Sequence, residues 1–302
     1  MLPADVLASP ERVAQALGST GYLADDGLAT LTYLADRLHR PILLEGEPGT
    51  GKTSLAEALA EVLGRPLIRL QCYEGIDATQ ALYDWDFPRQ ILHLRAVEAV
   101  AAAPGAVGDR PDARALEAQL YDERFLLARP VLRALQESPC VLLIDEIDRA
   151  DDEFEAFLLE VLSTWSVSIP EVGTISASEP PFVVLTSNRT RELHDALKRR
   201  CLYHWIDHPD MTRELAIVRT RLPEVGEQLA TQVVTLVQQL RAEGELIKAP
   251  GVAETLDWAQ AVHALGCSRL DPEVAAATLG AAVKYREDAE RVRAALDRML
   301  SR

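Results

Sequence analysis

The 302-residue chain carries 47 acidic against 31 basic side chains, a formal charge of −16, and 48% of its residues are hydrophobic. That length allows about two domains with real cores, and the acidic balance repels phosphodiester polymers, which disfavours a DNA or RNA substrate. The opening MLPADVLASPERVAQ lacks the basic start and apolar stretch of a signal peptide, and no window approaches the roughly 18 uncharged apolar residues that span a bilayer, so a cytoplasmic protein with protein partners and no membrane contact is expected.

Hydrophobic periodicity and chain breakers predict a helix over 25–39, then an apolar strand over 41–44 that runs straight into Glu45-Gly-Glu-Pro-Gly49. A helix follows over 52–63, ended by Gly64 and Pro66. Further apolar runs at 67–72, 141–144, 181–185 and 201–206 read as strands with helical patterns between them. Nearly continuous apolar strands alternating with helices indicate a parallel five-stranded sheet covered on both faces. The 68 residues from 73 to 140 exceed a simple crossover, and a helical insert over 83–121 is expected there, with a partly disordered loop as the alternative. From Pro209 on strand patterns stop, and these last 94 residues have helical spacing. The predicted organisation is an α/β domain over 1–208 and a smaller all-helical lid over 209–302.

The cysteines Cys72, Cys140, Cys201 and Cys267 lack paired spacing, so reduced thiols are expected rather than disulfides or structural zinc. Cys201, His204 and His208 form a near-motif for metal, but the first two fall in the run at 201–206 that reads as a strand.

Gly46-Glu-Pro-Gly-Thr-Gly-Lys-Thr53 matches G-x-x-x-x-G-K-[ST] and sits after an apolar strand and at the start of a helix. Glycines let successive N–H groups face one concavity, and the helix N-terminus adds partial positive charge, which together hold a polyphosphate. The expected ATP site comprises Gly46, Glu47, Pro48, Gly49, Thr50, Gly51, Lys52, Thr53 and Ser54. Lys52 supplies the point charge for the β and γ phosphates and the Thr53 hydroxyl is placed for Mg²⁺. The third strand ends in Asp145-Glu146-Ile147-Asp148, at the sheet edge where open α/β folds bind ligands. Asp145 would hold Mg²⁺, largely through water, and Glu146 would polarise the attacking water as general base. An acidic first helical turn is the competing reading, and it fits Asp151, Asp152 and Glu153 better. The fourth strand ends at Asn188, a neutral amide able to orient a water or touch the γ phosphate.

In this order the motifs resemble those of AAA+ ATPases of the MoxR family across nearly the whole chain. The resemblance implies a ring, usually a hexamer, with ATP held between subunits, and places Arg199 or Arg200 at the arginine-finger position; a solvated basic helix end is the competing view. It also implies the helical insert at 83–121 and a β-hairpin at 165–176. Residues 73–87 look most like the CoxD-type subgroup that assists maturation of carbon monoxide dehydrogenase and related molybdenum hydroxylases. A von Willebrand factor A domain protein and a client metalloenzyme are the partners so implied. The family's lid usually carries a sensor arginine, and here Thr255 falls about where it belongs. The expected function is a chaperone-like ATPase, with a nucleotide-gated switch or a DNA-processing ATPase as alternatives.

Overall fold

In the computed structural model, which describes residues 6–101, 120–170 and 172–300, two helices precede the first strand. α1 (Pro10–Ser19) starts at Ser9, whose hydroxyl accepts from the Arg12 N–H, and α2 (Asp26–Leu38) starts at Asp25, which accepts from the Leu28 N–H. The sequence reading assigned nothing to α1; it exists because Val13, Ala16 and Leu17 form a buried stripe over the same core as Leu55 and Leu59. Next come β1 (Ile42–Gly46), α3 (Lys52–Leu63), β2 (Leu67–Gln71), α4 (Ala78–Leu82), β3 (Tyr83–Trp85) and α5 (Phe87–Ala101). They are followed by β4 (Leu126–Ala128), α6 (Pro130–Gln136), β5 (Val141–Asp145), α7 (Asp152–Thr164), β6 (Ser166–Ile169), β7 (Gly173–Ser176), β8 (Phe182–Ser187), α8 (Asp195–Arg200) and β9 (Leu202–Ile206). The chain ends in α9 (Met211–Arg221), α10 (Glu227–Glu243), α11 (Val252–Ala264), α12 (Pro272–Thr278) and α13 (Arg286–Leu300).

Five strands form one parallel sheet in the order β2-β5-β8-β1-β9, with Ile42 beside both Val184 and Leu202, and Val141 beside both Leu67 and Phe182. The three inner strands are buried at every residue, which is why they read as unbroken apolar runs, whereas edge strand β2 alternates. Within the inner strands the side chains divide with period two. Leu43, Leu142, Ile144, Val183 and Leu185 pack under α6 and α7, and Ile42, Leu44, Val141, Leu143 and Val184 pack under α1, α2 and α3. The fold is thus the α/β P-loop architecture expected, with a helical C-terminal region. That region has its own core around Trp258, whose indole N–H donates to Thr278 at 2.8 Å.

Several bounds differ from expectation. β5 and β8 run one and two residues past their apolar runs, into Asp145 and Thr186-Ser187, because buried hydrogen bonds let polar residues stay in the ladder. The base of the insert is an antiparallel pair, Tyr83 opposite Ala128 and Trp85 opposite Leu126, so it reaches past residue 121; strands of three residues leave no readable period. Within the predicted insert α5 is helical, and residues 102–119 lie outside the described part. β6 and β7 pair antiparallel inside 165–176. Among the described residues no helix is long and apolar enough to cross a membrane.

Candidate active site

β1 delivers the chain to the C-terminal edge of the sheet, where it turns through 46–51 into α3. The turn needs its glycines: Gly49 and Gly51 have φ of +80° and +94°, and a Cβ at Gly46 would lie 2.3 Å from the Ile206 carbonyl oxygen on β9. α3 has no side-chain cap and no acidic residue in its first turn, so its leading N–H groups are left for an anion. Lys52, only 6% exposed, folds back to donate to the Gly46 and Glu47 carbonyls, each at 2.7 Å. Burial pushes its ammonium down to about 8, against the opposing pull of Asp148, Glu47, Asp145 and Glu146. The Thr50 hydroxyl donates to the Glu47 carbonyl at 2.9 Å and fixes the tip of the loop.

Across the cleft, Asp145 is buried and accepts from the Thr53 hydroxyl at 3.1 Å and from Thr186 on β8. Its other oxygen pairs with Arg69 of β2 at 2.5 Å. Glu146 sits at φ +55°, a left-handed conformation unusual for a residue with a side chain. Its N–H donates to Thr186 at 2.9 Å, and its carboxylate takes Arg149 at 2.8 Å and Gln71 at 3.1 Å. Asp148, also buried, accepts from the N–H groups of Asn188 and Thr190 at 3.2 and 2.8 Å and from the Thr190 hydroxyl at 2.7 Å. The carboxylates at the end of β5 and the backbone at the end of β8 are therefore tied into one unit beside the loop. Lys52, Thr53, Ser54, Asp145, Glu146 and Asn188 all line a cleft of about 570 Å³, a volume suited to a nucleotide.

Residues 41–201, just over half of the chain, match the family model for the AAA domain of the dynein-related subfamily. The chain belongs to this AAA family. Among relatives, it is 24% identical over 211 residues to an uncharacterized protein of Staphylococcus epidermidis, covering 68% of this chain and 70% of that one. It is 27% identical over 210 residues to an uncharacterized protein of Staphylococcus aureus, covering 68% and 69%. Among solved structures, a RuvB variant of Thermotoga maritima aligns with a TM-score of 0.46 at 16% identity, over 83% of this chain and 67% of that one. The RuvB Holliday junction branch migration motor of Thermotoga maritima aligns with a TM-score of 0.44 at 14% identity, over 90% and 70%.

The far end of the AAA cleft is built from segments that carry no motif. Gly21, Tyr22, Asp25 and Leu28 line it from the start of the chain, His204 and His208 from β9 and beyond, and Arg213, Ile217 and Arg221 from α9. Arg213 ties the two sides together by donating to the Leu23 carbonyl at 2.6 Å and approaching Asp25 at 3.5 Å. His204 and His208 thus belong to the cleft wall. Cys201 is buried away from it, with its thiol pushed up to about 12 by burial.

The C-terminal helical region meets the phosphate loop through backbone. The Gly49 carbonyl accepts from the N–H groups of Val252 and Ala253 at 3.0 and 3.2 Å, and so caps α11. A Cβ on Gly251 would lie 2.8 Å from the Pro48 carbonyl and 3.0 Å from the Gly49 Cα. Thr255, which falls about where the family's lid arginine belongs, is fully buried, donates to Glu214 at 2.6 Å, and faces the helical core. Helical rotation turns Val252, Ala253 and Leu256 to the cleft instead. Arg241 replaces nothing at the phosphates, because both its terminal nitrogens pair with buried Glu214, at 2.6 and 2.8 Å.

Arg199 and Arg200 are exposed at the end of α8 and are not among the residues lining this chain's cleft. They precede β9, at the opposite edge of the sheet from the phosphate loop, about 16 Å away by the rise of a five-residue strand. Arg40 holds them from behind, donating to the carbonyls of Arg200, Arg199 and Cys201 at 2.9, 2.5 and 3.1 Å. Arg69, Gln71, Thr186 and Arg40 were missed by sequence reasoning. The one available signal was Arg69, a lone cation among the residues that read as strands 67–72, 141–144 and 181–185.

Proposed function

We propose that this AAA protein is a MoxR-like ATPase that binds and hydrolyses Mg·ATP at subunit interfaces of a ring, using the cycle to remodel or mature a client protein complex. The observation that carries the nucleotide chemistry is the contact of the Thr53 hydroxyl with Asp145 at 3.1 Å, one residue from Lys52 and from Glu146. A hydroxyl and a carboxylate are the hard oxygen donors that Mg²⁺ takes in phosphate sites, so these residues fit the ion. Bound there, Mg²⁺ supplies neutralisation of phosphate charge.

The chain's own residues supply the rest. The loop from Gly46 to Gly51 and the open N-terminus of α3 would hold the phosphates, and Lys52 would exchange its two carbonyl acceptors for phosphate oxygens. Glu146, held by its backbone bond to Thr186, would take a proton from the attacking water, and Asn188 would orient that water. Arg199 or Arg200, facing outward from the opposite sheet edge, would complete a neighbour's site, with Arg40 fixing their helix end. The resemblance of residues 73–87 supports a CoxD-type role, with a client metalloenzyme and a von Willebrand factor A domain protein as partners.

The test is Mg²⁺-dependent phosphate release by the purified protein, with and without such a partner. Glu146→Gln should lower turnover by about 10²- to 10⁴-fold while nucleotide still binds. Absence of turnover in the wild type under both conditions would reject the proposal. A second reading, a switch whose ATP state recruits a partner, is favoured by the hold of Arg149 and Gln71 on Glu146. Under it, client maturation survives Glu146→Gln and is lost in Lys52→Ala. A DNA-processing role predicts salt-sensitive duplex binding, which the charge of −16 opposes.

A further inference from the structure

Asp145 is a buried carboxylate, and a buried polar group is costly unless donors or a countercharge surround it. Thr53 and Thr186 supply two hydroxyl donors. Lys52, the expected cation of the loop, is turned onto the carbonyls of Gly46 and Glu47. Among the described residues, the cation in direct contact with Asp145 is Arg69, whose Nη2 lies 2.5 Å from Oδ2. The same nitrogen donates to Gln71 Oε1 at 2.8 Å, so the guanidinium is steered from its own strand. Its side chain is half exposed and lines the cleft, and it can leave into solvent by rotation about its long stem.

We propose that Arg69 is a built-in competitor for the divalent cation: it occupies Asp145 in the nucleotide-free protein and must be displaced when Mg²⁺ arrives with ATP. This rests on the Mg·ATP reading of the site. Two cations at one buried carboxylate repel each other, and the apparent affinity of the incoming ion is lowered by the fraction of molecules in which Arg69 holds the site. Arg69 is in this sense a positioning residue. It holds the carboxylate by the oxygen farther from Thr53, and it sets the free-metal level at which the site fills.

The experiment is titration of Mn²⁺ into the full chain with a non-hydrolysable ATP analogue, followed by electron paramagnetic resonance, so that no turnover is needed. Arg69→Gln should lower the Mn²⁺ midpoint about fivefold, the size expected for a half-exposed ion pair. Arg149→Gln removes an equal charge that contacts Glu146, not Asp145, and should leave the midpoint within about twofold. Melting curves establish that each variant is folded. Normal nucleotide binding with an unchanged or raised midpoint in Arg69→Gln would overturn this inference alone. So would an equal shift in Arg149→Gln, which would make the effect one of general charge. Failure of the wild type to bind nucleotide would overturn it together with the ATPase reading.

Discussion

On the sheet side of the cleft, Thr53, Arg69, Asp145, Glu146 and Thr186 are joined by charged or hydroxyl hydrogen bonds that bring together segments far apart in sequence, with Lys52 beside them on the loop carbonyls. On the helical side, α11 presents Val252, Ala253 and Leu256 and meets the loop through the Gly49 carbonyl and the close approach of Gly251. Beside the loop, α11 therefore brings shape and no cation, and the cations that the helical region does contribute, Arg213 and Arg221 of α9, line the far end of the cleft. The N-terminal N–H groups of α11 are spent on Gly49 and are not offered to a ligand.

The contrast can be broken most severely by placing charge on the helical wall. Thr255→Arg would force a cation into a core where Glu214 is already held by Arg241, Gln238 and Thr255, at a cost of about 4 kcal/mol and a fall in Tm of roughly 10 °C. Faster turnover with an unchanged Tm would show that α11 can serve the phosphates after all. Lys52→Ala, on the charged wall, should weaken binding of a fluorescent ATP analogue about 100-fold, or about 3 kcal/mol, by direct titration. Gly251→Ala tests shape without charge. Its methyl would meet the Pro48 carbonyl, and a loss of about 2 kcal/mol in urea unfolding, with weaker nucleotide binding, is expected.

The smallest expected effect is on pH. Lys52 in the free protein titrates near 8, and bound phosphate would raise that value, so above pH 8 binding takes up a proton. Affinity should then fall as pH rises, by at most about tenfold per unit, and stay flat below about 7. Titrations at pH 7 and 9 with Lys52→Arg as the non-titrating comparison check the sign.

The charged wall was largely legible in the sequence because its chemistry is local. A glycine loop, its lysine and threonine, and two adjacent carboxylates each lie within a few residues, next to apolar strands whose burial is also a local pattern. What was not legible depends on pairings across the sheet or on helix phase. Arg69 meets Asp145 only because β2 lies beside β5, and Thr186 bridges Asp145 and Glu146 only because β8 lies on the other side. Thr255 falls about where the family's lid arginine belongs, but its distance from Gly251 does not tell which way it faces: one residue of helix is 100° of rotation, enough to turn a side chain from the cleft into the core. The insert's paired base escaped notice because three-residue strands carry too few side chains to show alternation.

Arg40 stands one residue before Pro41 and two before β1, whose far end is the phosphate loop, and its guanidinium grips the carbonyls at the root of Arg199 and Arg200. β1 and β9 are adjacent rungs, about 5 Å apart, locked in register from Ile42–Leu202 to Gly46–Ile206. The two strands and the arginine thus make one unbroken run of hydrogen bonds from the phosphate loop to the carbonyls beneath the basic pair, and a change at Arg40 would loosen the far end of that run without touching the loop.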